Sequence, residues 1–266
     1  MFKKAVSLLI LTSFAITLCS CEFQKRESFM ESNSDTKDIA VSSNSLSYPL
    51  KESEDMGQKY IDSFVFLGES TTYHLKSRGV LSEGTNTCQV WGTKSGTLML
   101  DLSTYNCRIV YPETNEEIDI SEAAKRKKPK YILLTFGLNG AVANISKGSK
   151  YFTDCYEKLI NTIREASPET VVILQSCFPV AENMDMSNFS IDVSMLNQYI
   201  DIINGWTMEL AKELSLGYLN TTEILKDENG FLYPEYQSGD GYHLTKDAYL
   251  KILEYIRTHG YTEEEK

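Results

Sequence analysis

Histidine is scarce in this chain: His74, His243 and His259 are the only three in 266 residues, and no HExxH pattern joins any of them. A histidine-built metal centre is disfavoured, and neither a metal nor an organic cofactor is expected. Basic charge is short as well, with 26 Lys and Arg against 37 Asp and Glu and a formal net charge of −11. A surface of that sign repels a phosphate backbone, which argues against nucleic acid as a partner. No apolar run reaches the roughly 18 residues that span a bilayer, so the N-terminal stretch is the one candidate. Neither a P-loop nor a GxSxG elbow is present. What is there, 42% hydrophobic and 24% charged residues, is the composition of a globular domain that folds in water.

Residues 1–20 read as an address. Lys3 and Lys4 precede an apolar stretch, Ala5 to Leu18, of signal-peptide length. Leu18-Cys19-Ser20-Cys21 looks like the lipobox of bacterial lipoproteins, so Cys21 is the expected lipidated N-terminus, and bulky Leu18 makes Cys19 the poorer choice. The protein is then expected outside the cytoplasm, held to the bacterial cell membrane through its lipid alone. Residues 21–57 are rich in Ser, Glu, Asp and Lys without a sustained period, the pattern of a flexible tether. That leaves 58–266 as one folded domain. Its four cysteines, Cys88, Cys107, Cys155 and Cys177, allow three disulfide pairings. Cys88 with Cys107 is the first expectation because they flank one loop region, while Cys155 and Cys177 lie in apolar patterns that suit buried thiols.

Three short apolar runs, Ser63 to Leu67, Tyr131 to Phe136 and Val171 to Gln175, read as strands buried on both faces of a parallel sheet. Thr87 to Trp91 and Tyr218-Leu219 are weaker strand candidates. Helical stripes come between and after them: Phe152, Cys155, Tyr156, Leu159, Ile160 and Ile163; Leu196, Tyr199, Ile203, Trp206 and Leu210; Tyr249, Ile252, Leu253 and Ile256. Strand and helix in alternation predict an α/β fold with a single doubly wound parallel sheet flanked by helices, a flavodoxin-like three-layer sandwich. In such a sheet chemistry gathers at the carboxyl ends of the strands.

The polar residues at those ends are specific. The first strand runs into Gly68-Glu69-Ser70, which puts a hydroxyl where a helix begins and where the helix N-terminus favours an oxyanion. The strand from Tyr131 runs into Gly137-Leu138-Asn139, which adds a side-chain amide donor. Gly92 and Gly96, in Trp91 to Thr97, offer backbone N–H groups without a side chain in the way. Before the last helix, Asp240 and His243 stand three apart. That spacing lets a carboxylate hold one imidazole nitrogen and leaves the other for a serine proton.

Gly68-Glu69-Ser70, the loop glycine, Gly137-Leu138-Asn139 and Asp240-Gly241-Tyr242-His243 together resemble the blocks of the GDSL, or SGNH, hydrolases, over roughly Phe64 to His259. The resemblance implies Ser70 as nucleophile, His243 as general base and then acid, and Asp240 as its orienting group. It implies an oxyanion hole of the Ser70 N–H, a glycine N–H and the Asn139 amide, with Gly96 preferred and Gly92 the alternative. Two departures mark a divergent branch. Glu69 stands where the family has Asp, and Gly140 replaces the Asp that follows the oxyanion Asn.

Taken singly, Ser70 beside its glycine, Asn139-Gly140 and Asp240-Gly241 are ordinary turn signatures, so the weight rests on their combination. His74 reads as a wall residue rather than the base, and Tyr73, Tyr233, Tyr236 and Tyr242 as rings that proximity alone explains. Residues 181–190, with Met184, Met186 and Phe189, read as either a lid or a plain connection. The implied activity is hydrolysis of acyl esters, an O-acetyl group on a carbohydrate foremost. The alternatives are an O-acyltransferase with the same triad and a non-catalytic surface binding protein on the same fold; the oligomeric state stays open.

Overall fold

The computed structural model describes residues 46–262. Within them seven strands occur: β1 (Phe64–Gly68), β2 (Val90–Trp91), β3 (Arg108–Val110), β4 (Glu117–Asp119), β5 (Tyr131–Thr135), β6 (Val171–Gln175) and β7 (Gly217–Leu219). Five form one parallel sheet in the order β2-β1-β5-β6-β7, while β3 and β4 pair antiparallel beside it. The α-helices are α1 (Gln58–Asp62), α2 (Ser70–Ser77), α3 (Ile120–Lys127), α4 (Ala141–Lys147), α5 (Ser149–Ala166), α6 (Val193–Glu213) and α7 (Lys246–Thr258).

Counted along the chain, the five sheet strands lie in the flavodoxin-like order 2-1-3-4-5, whose direction reverses between β1 and β5. The register is flush there: Gly68 lies beside Thr135, and Thr135 beside Gln175. The loops leaving β1 and β5 therefore open into one crevice at the switch point.

Why the apolar runs become this sheet follows from its two faces. Side chains alternate along a strand. Val65, Leu67, Ile132, Leu134, Val172 and Leu174 pack with the stripe Phe152, Tyr156, Leu159, Ile160 and Ile163 of α5. Phe64, Phe66, Tyr131, Leu133 and Ile173 pack with Tyr249, Ile252 and Ile256 of α7. Both faces are covered, so β1 carries no polar side chain, and Thr135 and Gln175, which end β5 and β6, are buried with the Thr135 hydroxyl donating to Gln175 Oε1 at 2.8 Å. Truncating a fully buried ring such as Phe152 to Ala costs about 3–5 kcal/mol.

Helix α6 departs from its predicted stripe. Tyr199 and Trp206 are half-buried at the flank, and the buried line is Leu196, Ile200, Ile203, Thr207 and Leu210 with Asn197 and Asn204. The two asparagines are buried because each clamps the chain leaving β6. Asn197 accepts from the Val180 N–H at 3.0 Å and donates to the Val180 carbonyl at 2.9 Å; Asn204 does the same for Cys177 at 2.8 and 3.1 Å. Those amides replace the sheet partners that the chain loses when it leaves β6.

Residues 46–57, read from sequence as the end of a tether, pack onto the domain. Leu50 is buried and its N–H donates to the Tyr218 carbonyl at 2.9 Å; Ser53 and Met56 donate to carbonyls of Thr258 and Arg257. Backbone pairing, the apolar side chains of Leu46, Tyr48 and Leu50, and the Asp55–Arg257 ion pair at 3.1 Å hold them, and none of these recurs at a regular period. The four cysteines of the domain are all free, and Cys88 and Cys107 do not pair. The Cys107 thiol lies instead by the Ser103 carbonyl at 3.9 Å. The signal segment and Cys21 lie outside the described residues. No described helix is long and apolar enough to cross a membrane.

Candidate active site

Strand β1 ends at Gly68, where a Cβ would collide with the Thr135 carbonyl and the Thr72 side chain, so only glycine lets β1 and β5 close at this point. Glu69 caps α2 but does not use its side chain for the helix. Buried, its Oε1 accepts from the Gly137 N–H at 2.9 Å and the Asn139 N–H at 3.0 Å, which ties the loop after β5 to the start of α2. Burial pushes the Glu69 carboxyl up to about 7, although hydrogen bonds from the Gly137, Asn139 and Leu138 amides pull the other way.

Ser70 opens α2, and its Oγ lies 2.9 Å from His243 Nε2. His243 Nδ1 lies 2.6 Å from Asp240 Oδ2. A carboxylate only accepts, so Nδ1 carries the proton and Nε2 is left to accept from the serine hydroxyl. Asp240 Oδ1 accepts from the N–H groups of Tyr242 at 3.1 Å and His243 at 2.9 Å, an arrangement that needs the left-handed Gly241 (φ +86°) between them. Partial burial alone would raise the Asp240 carboxyl. The amide and ring of His243 and the amide of Tyr242 hold it below its ordinary value instead. Two more ties fix the loop: Ala181 N–H to the Gly241 carbonyl at 2.7 Å, and Ser238 N–H to the His243 carbonyl at 2.8 Å.

Aromatic rings flank the imidazole. Tyr242 lies 4.1 Å from it, centroid to centroid, and His74, one helical turn after Ser70, 4.3 Å. Burial, with the positive charges of His243 and Arg78, takes His74 down to about 4 against the pull of Asp240, so this ring stays neutral beside the pair. Of the other tyrosines, Tyr73 covers Gly92 and Gly96, whereas Tyr233 and Tyr236 pack edge to face on each other.

On the far side of Ser70 lies Asn139. Its Nδ2 donates to Thr97 Oγ1 at 3.0 Å and to the Leu98 carbonyl at 3.1 Å, and the Ser70 N–H donates to the same Thr97 Oγ1 at 3.1 Å. The Gly96 amide, expected beside them, is turned away. It donates to the Thr93 carbonyl at 2.9 Å and closes a tight turn with Gly96 at φ +73°. Gly92 is joined to Val110 by a bridge in which its carbonyl accepts from the Val110 N–H. Nothing in the sequence marks Thr97, because a threonine after a loop glycine carries no signal of its own.

A cavity of about 440 Å³ adjoins Asn139 and Asp240 and is lined further by Leu138, Met184, Phe189 and Tyr242. A neighbouring one of about 490 Å³ shares Leu138, Gly140, Phe189 and Leu196 with it. The 181–190 segment thus walls the crevice, with Met184 seated against Gly241. A third cavity, about 470 Å³ beside Phe64 and Lys130, lies at the amino ends of β1 and β5, on the opposite edge of the sheet. Among the described residues no cluster of three or more His, Cys, Asp or Glu is placed to hold a metal ion.

Residues 66–251 match the family model described as GDSL-like Lipase/Acylhydrolase. No curated protein matches the sequence. Among solved structures the chain is similar to a candidate platelet activating factor from Streptococcus pneumonia (18% identity, 78% of this chain and 92% of that one, TM-score 0.47). It is similar also to a GDSL-like lipase from Bacteroides thetaiotaomicron (17%, 73% and 85%, 0.48). A third is an extracellular lipase from Streptomyces rimosus (13%, 71% and 97%, 0.45).

Proposed function

Because the chain belongs to the GDSL-like lipase/acylhydrolase family, we propose that it is a serine esterase in which Ser70, His243 and Asp240 carry the reaction. The observation that supports this reading most is the unbroken line from Ser70 Oγ to His243 Nε2, at 2.9 Å, and from His243 Nδ1 to Asp240, at 2.6 Å. His243 Nε2 takes the hydroxyl proton as Ser70 Oγ bonds to the ester carbonyl carbon. The carbonyl oxygen becomes an oxyanion at the N-terminus of α2, within reach of the Ser70 N–H and Asn139 Nδ2. As the tetrahedral adduct collapses, the imidazolium gives its proton to the departing alcohol. A water that His243 deprotonates then attacks the acyl-serine and releases the acid. Asp240 holds the tautomer and offsets the imidazolium charge throughout.

The substrate is an acyl ester, an O-acetyl group on a carbohydrate in the first instance. The cavity that adjoins Asn139 and Asp240 gives the substituents of such an ester a place beside the reacting carbon, and Tyr242 offers a ring face to a sugar. The enzyme works outside the cytoplasm, anchored to the cell membrane by lipid on Cys21.

The test is release of acetate from an aryl acetate and from acetylated glycans by wild type and by Ser70→Ala at equal fold stability. Loss of turnover in the variant by a factor of about 10⁴ or more is expected. Equal rates in the two proteins end this reading. Acyl transfer to an added glycan outrunning hydrolysis would make the protein a transferase with the same triad.

A further inference from the structure

We infer that the Thr97 hydroxyl occupies the oxyanion-binding point of the site and that a substrate carbonyl must displace it; this rests on the serine-esterase reading. Three N–H bonds make up the donors facing that point, and all three end on the 97–98 segment. The Ser70 N–H and one hydrogen of Asn139 Nδ2 meet on Thr97 Oγ1, at 3.1 and 3.0 Å, and the second Nδ2 hydrogen goes to the Leu98 carbonyl at 3.1 Å. A hydroxyl oxygen has two acceptor positions, and both are filled. Its own hydrogen points to the Leu98 carbonyl at 3.3 Å.

An oxygen that accepts from both Ser70 N–H and Asn139 Nδ2 at ordinary distances must lie in the small region where the two donors converge, and Thr97 Oγ1 lies in that region. The ester carbonyl needs that place if the charge it develops is to fall on these two donors. Thr97 is therefore a competitor tethered to the site. Its turn is braced by Thr93, whose Oγ1 donates to the Thr97 carbonyl at 2.8 Å, and by the Gly96 N–H to the Thr93 carbonyl. The brace keeps the hydroxyl at hand, while exposed Lys94 and Ser95 leave the tip of the turn open to solvent.

The competition has a kinetic sign. A neutral carbonyl that replaces a neutral hydroxyl gains little on entry, whereas the oxyanion formed later gains two charge-assisted bonds. Displacement weighs equally on the bound ester and on the transition state, so its cost falls on KM rather than kcat. Removing the hydroxyl therefore tightens KM.

Thr97→Ala and Thr97→Ser, compared with wild type on an aryl acetate, test this. Thr97→Ala is expected to lower KM about fivefold, the worth of one net hydrogen bond, with a smaller change in kcat. Thr97→Ser keeps the hydroxyl but loses the branch that restricts χ1, so its KM falls between the two. An unchanged or raised KM in Thr97→Ala overturns the inference. So does a hundredfold loss of kcat at constant KM, which would make the hydroxyl a donor to the oxyanion. If thermal melting shows that Thr97→Ala does not fold, the KM of Thr97→Ser decides: below wild type supports the inference, equal or above overturns it. Absence of wild-type hydrolysis is a different result, since it removes the esterase reading itself.

Discussion

Ser70 and His243 are 173 residues apart in the chain and 2.9 Å apart at Oγ and Nε2. Two scaffolds produce that meeting. Helix α2 starts at the end of β1 and presents the hydroxyl, and α7 is pinned to α2 by the Tyr249 hydroxyl, which donates to the Thr71 carbonyl at 2.6 Å. The loop before α7 then has little freedom over where it sets His243.

Asp240→Asn keeps acceptors for the Tyr242 and His243 amides but faces His243 Nδ1 with an amide or a carbonyl dipole instead of a charge. The preferred tautomer and the imidazolium both lose support. The expected fall in kcat is about 10²–10⁴-fold, with folding preserved and measurable residual turnover. A rate within twofold of wild type would show that Asp240 does not orient the base.

Glu69 gives stability a pH dependence of unusual sign for a carboxyl. Its folded value of about 7 lies above the ordinary 4.5, so between those values the native state binds more protons than the unfolded chain. Stability is whole below about 4.5 and falls as pH rises toward 7, by on the order of 3 kcal/mol. Glu69→Gln is uncharged throughout. Melting temperatures at pH 5 and pH 8 should show the variant gaining on wild type as pH rises, and a constant offset would contradict the burial argument.

His74 behaves the opposite way. Its folded value near 4 lies below the ordinary 6.5, so the unfolded chain takes the extra proton, and stability is lost as pH falls from about 6.5 toward 4. His74→Phe keeps a ring against His243 and removes that loss. The variant is expected to retain kcat within about threefold and to melt relatively higher at pH 5 than at pH 7. A collapse of kcat would mean that His74 carries a proton in the reaction.

Gly241→Ala places a Cβ 2.7 Å from Met184 Cα at a φ of +86°. Backbone must shift, at about 1–3 kcal/mol, and the shift falls on the loop that aligns Asp240 with His243. Both the melting temperature and kcat should drop, kcat by about tenfold or more. An unchanged kcat would show that the loop tolerates a displacement the geometry forbids.

The parts legible in the sequence were those with an intrinsic signature. Strands β1, β5 and β6 announce themselves because burial on both faces makes each a run of four consecutive apolar residues, and the α5 stripe because its six apolar residues recur at the helical period. Ser70, Asn139, Asp240 and His243 stand at the ends of such elements, and the structure places their side chains around one crevice. Thr97 was illegible because its position over α2 comes from a loop folding back, and the same tertiary event turns the Gly96 amide to Thr93. The β3–β4 hairpin has three-residue strands, too short to show alternation. Residues 46–57 look like tether because their hold is spread over backbone hydrogen bonds to Tyr218, Arg257 and Thr258 and single side-chain contacts such as Asp55 with Arg257, which follow no helical or strand period.

The most direct measurement of the central claim is the site of covalent labelling by a fluorophosphonate probe, read by peptide mass spectrometry. One adduct per chain on Ser70, formed at a much lower rate in His243→Ala, is the predicted result. Labelling at another residue, or none while an aryl acetate is still hydrolysed, would contradict it.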